Sequence, residues 1–326
     1  MDPGRPEPLK VVSIVGPGRS GTTILASILG EVPGVLSVGE LRWLWERGVL
    51  QQRPCGCGKP PERCPVWSSV IARVMASSER WTVPEIVAAQ HDVAHLRSLP
   101  RLLRASSDTR TQWPALDLVL TVTGRMVEAF VEGTNARVIV DTSKRPQDAA
   151  VSAMLEGVDH YVLHVVRDPR AVVHSWRRRK TFAAEGGTRT MGTRRLPSTV
   201  RAWTTNSIGS ELLRRRVPAS HWHHMRYEDF SRHPRSSVES IVAFLGEQGR
   251  TPFENEDTVA LQPNHIVSGN PTRFTTGSVK IRADEEWRQA MPRRDQLLVQ
   301  LATKTLMMRY GYTTRNREAA SARRTD

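Results

Sequence analysis

Apolar positions along this chain alternate between short β-branched runs and longer stretches of helical spacing. Residues 11–15 (VVSIV) form the first run, pass through GPGRSGTT and open directly into the apolar stretch ILASIL at 24–29. That pattern is strand, turn and helix, with a turn rich in glycine and small polar residues. A second short run, 34–38, ends in Gly39-Glu40, and LRWLW after it has the spacing of a helix covering the strand's end. Residues 137–140 (RVIV) read as a buried strand leading to Asp141-Thr-Ser-Lys144, with Pro146 in the first turn of the next helix. Residues 159–166 form another strand, Arg167-Asp-Pro starts a helix over 170–180, and a further strand is expected near 222–227. Helices at 198–215, about 235–245, 284–290 and 293–310 complete the pattern.

Strands separated by long helical crossovers call for a parallel sheet with right-handed connections. The predicted class is α/β: a P-loop-like central parallel β-sheet flanked by helices, in one domain over residues 10–310. Residues 66–130, broken by Pro84, Pro100 and Pro114, read as a helical insertion or lid. Residues 181–197 read as a flexible Gly/Thr/Arg-rich loop, 264–280 as an ordered polar loop, and 311–326 as a basic disordered tail.

Composition adds a globular body, with 39% hydrophobic and 25% charged residues. No stretch approaches membrane-span length and the N-terminus carries no apolar signal core, so a soluble, cytoplasmic protein is expected. The net charge of +14 favours anionic partners. Much of it sits in scattered arginine clusters without a recognised nucleic-acid motif, so no specific nucleic acid is expected. A small polyanion needs only a local pocket.

The first loop is the place for one. Gly16 and Gly21 match the two glycines of G-x-x-x-x-G-K-[ST], but Thr22 stands where a nucleotide triphosphatase carries its lysine. Arg19 sits inside the loop instead, beside Gly18, Ser20 and Thr23. Backbone N–H groups, hydroxyls and the positive end of the following helix suit a short anionic group, and no metal is assigned there. Ligands of open α/β sheets collect beyond the carboxyl ends of the strands, which puts Glu40 and Lys144 on the same rim. On the predicted 170–180 helix, Ser175 and Arg179 are i and i+4 and so share a face that can converge on one phosphate.

Taken together, GPGRSGTT, the strand-end RDPRAVVHSWRRR and a late Gly-rich basic loop resemble sulfotransferases that use 3′-phosphoadenosine-5′-phosphosulfate (PAPS). The resemblance spans about residues 10–310, is weak through 66–130 and 181–197, and is nearest to the tyrosylprotein and bacterial branch. It implies that the first loop holds the 5′-phosphosulfate and that Arg167, Ser175 and Arg179 hold the 3′-phosphate. It further implies Glu40 as general base, Arg19 as a cation on the transferring sulfuryl group and Lys144 as stabiliser of the leaving phosphate. Tyr227 matches a position near the adenine, and Ser268 and Lys280 resemble late-loop contacts to the cosubstrate. The product would be the 3′,5′-diphosphate PAP, and the acceptor a hydroxyl on a small molecule, lipid, carbohydrate or peptide.

Each residue also has a plainer reading. In it Glu40 serves only as a helix N-terminal charge, Lys144 as a solvated lysine, and Arg167 as the partner of Asp168 or Asp141. Tyr227, His160 and His164 read equally as core residues, His221–His224 as structural, and Trp67, Trp81 and Trp113 as core or substrate platforms. Cys55, Cys57 and Cys64 lie together in CGCGKPPERC, one ligand short of a zinc site. They form either a local staple, the favoured reading, or part of a metal site completed by a distant histidine. Rival functions are a P-loop nucleotide kinase, a basic nucleic-acid-binding protein and an inactive sulfotransferase-like scaffold. Oligomeric state stays open, a homodimer included.

Overall fold

The computed structural model describes residues 8–76, 81–105, 107–179, 181–184, 187–190 and 192–312. β1 (Leu9–Val15) leads through the glycine loop to α1 (Thr22–Leu29) and β2 (Val35–Gly39). A 3₁₀ turn at Leu41–Trp43 and a π-helical turn at Leu44–Leu50 follow, and then α2 (Trp67–Ala76) and α3 (Val83–Val93). The short α4 (Leu99–Leu102) and α5 (Ser107–Thr111) precede the long α6 (Pro114–Gly133). Next come β3 (Val138–Lys144), α7 (Pro146–Ser152), β4 (Val158–Val166) and α8 (Pro169–Arg177). The antiparallel pair β5 (Thr181–Ala184) and β6 (Gly187–Thr190) precedes α9 (Leu196–Arg214). The remainder is β7 (Trp222–Arg226), α10 (Tyr227–Arg232), α11 (Pro234–Phe244), β8 (Thr258–Leu261), β9 (Gly277–Lys280), α12 (Trp287–Ala290) and α13 (Arg293–Arg309).

The central sheet has the order β2-β3-β1-β4-β7, every neighbouring pair parallel. β1 lies in the middle and is buried from Val11 to Val15, as a strand covered on both faces must be. On one face Leu25, Ile28 and Leu29 of α1 meet Val12, Ile14 and Val140, together with Val238 and Ile241 of α11. On the other, Val11 and Ile139 pack against Val122, Met126 and Phe130 of α6 and Trp67 of α2. The helices of 66–130 thus form a layer on the sheet, and among the described residues of that segment only 94–96 line the cleft described below.

Several elements differ from the expectation for local physical reasons. The helix expected at 41–45 is a 3₁₀ and then a π turn. Its first free amides, Leu41 and Arg42, are taken by the Asp141 and Ser143 side chains of β3. The helix expected to reach residue 180 stops at Arg177, and Arg178 is extended. Its guanidinium is drawn to Asp284, at 3.3 Å, and to Glu286. Residues 181–197, expected as a flexible loop, carry β5, β6 and the first turn of α9. The ordered loop expected at 264–280 ends in β9, which pairs with β8. The tail expected at 311–326 lies, from residue 313 on, outside the described residues.

Candidate functional site

The glycine loop leaves β1 and turns back over its own strand end. Gly16 has φ of 136°, and a Cβ there would sit 2.0 Å from the Val165 carbonyl oxygen, so only glycine lets the loop lie this close to β4. Arg19, with φ of 73°, is left-handed without being glycine, a strained conformation of the kind that marks functional loops. Lys144 (φ 70°) and Ser268 (φ 59°) share it, and all three gather at the same rim.

Each of the five sheet strands delivers a side chain to that rim. β1 ends in the loop, β2 in Gly39-Glu40, β3 in Lys144, β4 in Val166-Arg167 and β7 in Arg226-Tyr227. They surround a cleft of about 780 Å³ lined by the loop, Glu40, Lys144, Arg167, Ser175 and Tyr227, among others. Its size lies within the ~300–1,000 Å³ typical of small-molecule sites.

At the floor, Lys144 Nζ donates a hydrogen bond to Glu40 Oε1. Ser268 Oγ donates to Glu40 Oε2 at 3.3 Å, and Arg47 Nη1 lies 3.7 Å from the same oxygen. Burial pushes the Glu40 carboxyl up. The Lys144 ammonium, then Arg47 and the Ser268 hydroxyl, outweigh it and hold Glu40 below its ordinary value. Main-chain bonds fix the carboxylate's position: Glu40 N donates to Val267 O at 2.9 Å, and Val267 N to Val38 O at 3.1 Å.

The opposite wall is cationic. The Arg167 guanidinium lies 4.2 Å over the Tyr227 ring, donates to Arg19 O at 2.9 Å and pairs with Asp284 at 3.2 Å. Neither Asp168 nor Asp141 is its partner: Asp168 pairs with Arg170, and Asp141 caps Leu41. Trp176 is held between two guanidiniums, Arg19 at 4.5 Å and Arg194 at 4.2 Å. Burial, then the charges of Arg178, Arg194 and Arg167, lower the Arg19 pKa. The Nε of Arg167 and the Oγ of Ser20 are buried without a hydrogen-bond partner. A concave wall with this surplus of donors and positive charge is built for an anion.

Most of the expected site residues thus converge: Gly18, Arg19, Gly21, Thr22, Thr23, Glu40, Lys144, Arg167, Ser175 and Tyr227 line one cleft, and Ser20 is buried in the loop. Three do not. Arg179 lies past the end of α8 and is exposed, so the shared face with Ser175 does not form. Lys280 pairs with Asp257 at 2.9 Å on β9, away from the cleft. Ser268 faces Glu40 and accepts from Arg47 Nη1 at 3.0 Å, so it contacts the carboxylate instead of lining the cleft.

Other cleft residues escaped the sequence reading, among them Trp43, Arg47, Trp176, Arg194 and Asn206. Arg47 had a usable signal: it is i+4 from Trp43, and its guanidinium lies 3.7 Å over that ring. Trp67, Trp81 and Trp113 are not platforms in the cleft. Trp67 meets Phe130 edge-on at 5.2 Å, Trp113 donates to Asp92 at 2.8 Å, and Trp81 is covered by Arg125. His164 is a buried core residue, and His160 bonds Ser13 at 2.9 Å.

Among solved structures, the chain is similar to the sulfotransferase domain of the Synechococcus PCC 7002 olefin synthase. The identity is 18% and the TM-score 0.52, over 97% of this chain and 99% of that one. A sulfotransferase domain from the curacin biosynthetic pathway is 17% identical with a TM-score of 0.49, over 92% of this chain and 97% of that one. A search of curated proteins finds no match. The α/β fold agrees with the first of these domains, and the model of the Sulfotransferase family matches residues 12–251. This chain belongs to the sulfotransferase family.

Proposed function

We propose that the chain transfers the sulfuryl group of PAPS to a hydroxyl acceptor, with Glu40 as general base. The observation that carries the reading is the ion pair of Glu40 with Lys144 at the floor of a cleft whose other wall is cationic. The residues fit the donor's charges. Among the described residues the buried Arg167 Nε and Ser20 Oγ have no hydrogen-bond partner, and Arg19 and Arg194 add positive charge beside them. The Tyr227 ring beside Arg167 offers a flat surface for a base.

The donor, when bound, supplies a singly charged sulfuryl group on a 3′,5′-diphosphate leaving group. In this reading the loop amides and Arg19 hold the 5′ end, and Arg167 with Ser175 holds the 3′-phosphate. Lys144 turns from Glu40 to the developing charge on the leaving phosphate, and Glu40, released, takes the acceptor's hydroxyl proton. Cations and amide donors suffice here, so the loop has no need of the lysine that Thr22 replaces. Trp43, His95 and Leu96 also line the cleft and add aromatic, polar and apolar surface for an acceptor.

The test is release of PAP from PAPS with panels of alcohols, sugars, lipids and peptides. Wild type turns over with at least one panel, and Glu40→Gln loses about 10²–10⁴-fold in rate, the usual worth of a positioned base. Undiminished turnover in Glu40→Gln removes Glu40 from that role. Magnesium-dependent turnover of ATP in place of PAPS favours the kinase reading.

A further inference from the structure

We propose that Cys55, Cys57, Cys64 and His265 form a structural zinc site that fastens the 264–270 segment to the catalytic end of the sheet. The three cysteines come from one turn-rich excursion and His265 from a segment about two hundred residues later. Folding nonetheless brings the four ligand atoms within 4.8 Å of one another. Cys64 Sγ lies 3.8 Å from Cys55 Sγ and 3.2 Å from His265 Nδ1. Zinc bonds of ~2.3 Å to sulfur and ~2.0 Å to nitrogen, at tetrahedral angles, place two sulfurs ~3.8 Å apart and sulfur and nitrogen ~3.5 Å apart. The 3.8 Å between the Cys55 and Cys64 sulfurs is such an edge, the 3.2 Å from Cys64 to His265 is slightly shorter than one, and all three cysteines are free of disulfides.

The surrounding chain is built to hold such ligands. Gly56 N donates to Ile266 O at 3.0 Å, and Trp67 Nε1 to His265 O at 2.7 Å, so the histidine's backbone is fixed from both sides. Cys55 and Cys64 are fully buried, while Cys57 and His265 are partly exposed, which leaves a path for the ion. Zn²⁺ takes the cysteines as thiolates and His265 through a ring nitrogen, with thiol protons released as it binds.

The consequence reaches the cleft through three residues. Val267 bonds the main chain of Val38 and Glu40, Ser268 bonds the Glu40 carboxylate, and Asn270 N donates to Thr23 Oγ1 at 3.3 Å. Arg273 closes the unit, donating to Gly269 O at 3.1 Å and to Pro54 O at 3.3 Å. The metal thereby holds the segment that orients Glu40 without touching the cleft.

Metal content of the untagged full-length chain, purified without chelators, tests the proposal. About one zinc per chain is expected by elemental mass spectrometry. Exchange for Co²⁺ should give the intense visible bands of tetrahedral cobalt with sulfur-to-metal charge transfer. Cys64→Ser and His265→Ala should lose the metal, and His265→Cys should restore it. If the variants fail to fold, wild-type zinc content and the cobalt spectrum still decide. Absence of zinc together with no cobalt spectrum overturns the proposal. So does a Cys55–Cys64 disulfide, seen as one reactive thiol per denatured chain instead of three.

Discussion

Glu40 and Lys144 end neighbouring parallel strands and meet as an ion pair at the floor of the cleft. Asp141 stands behind them. Its Oδ1 accepts from Leu41 N at 3.2 Å, next to Glu40, and from Ser143 N at 2.8 Å, next to Lys144. One buried carboxyl therefore sets the spacing of the two charged groups on which the proposed reaction rests.

That pairing predicts a pH signature. The Lys144 ammonium is the largest of the influences that hold Glu40 ionised against its burial. In Lys144→Met the burial remains and the opposing charge is gone, so the Glu40 carboxyl rises. The acidic limb of the residual rate profile, or the ¹³C titration of the carboxyl, should move to higher pH than in wild type. An unmoved limb would mean that Lys144 does not govern the protonation of Glu40.

Asp141 predicts the opposite trend in stability. Burial pushes its carboxyl up to about 7 against the hydrogen bonds from Ser143 and Leu41. The folded chain thus keeps a proton that the unfolded chain sheds near pH ~3.9, and this contribution to stability falls as pH rises through that window. Asp141→Asn should show a flatter Tm profile than wild type from about pH 4 to about pH 7. Parallel profiles would show that Asp141 is ionised in the fold.

The strand-end chemistry was legible because it is local. Val11 to Thr23 encodes strand, loop and helix within a few residues, and the strand-end positions of Glu40, Lys144 and Arg167 follow from short apolar runs. What escaped depends on contacts distant in sequence. Arg178 leaves the helix for Asp284 and Glu286, which removes Arg179 from the face it was expected to share with Ser175. Ser268 points at Glu40 because Val267 joins the edge of β2. His265 completes the cysteine cluster from across the chain, where no spacing rule reaches.

Trp176 is a case of this kind. Its ring fills the space between the Arg19 and Arg194 guanidiniums and keeps both aimed along the cationic wall. With each contact worth ~0.5–2 kcal/mol, Trp176→Ala should weaken PAP binding about tenfold while the fold persists. Equal affinity in the variant, measured by titration, would show that the arginines hold their places without the ring.

Calorimetric titration of PAP into wild type, Glu40→Gln and Arg167→Ala, with 5′-AMP and ATP-Mg as controls, tests the central claim most directly. The account predicts selective binding of PAP by wild type, near-equal binding by Glu40→Gln, and its loss in Arg167→Ala. Binding of ATP-Mg as tight as that of PAP, or no binding of PAP by wild type, would contradict it.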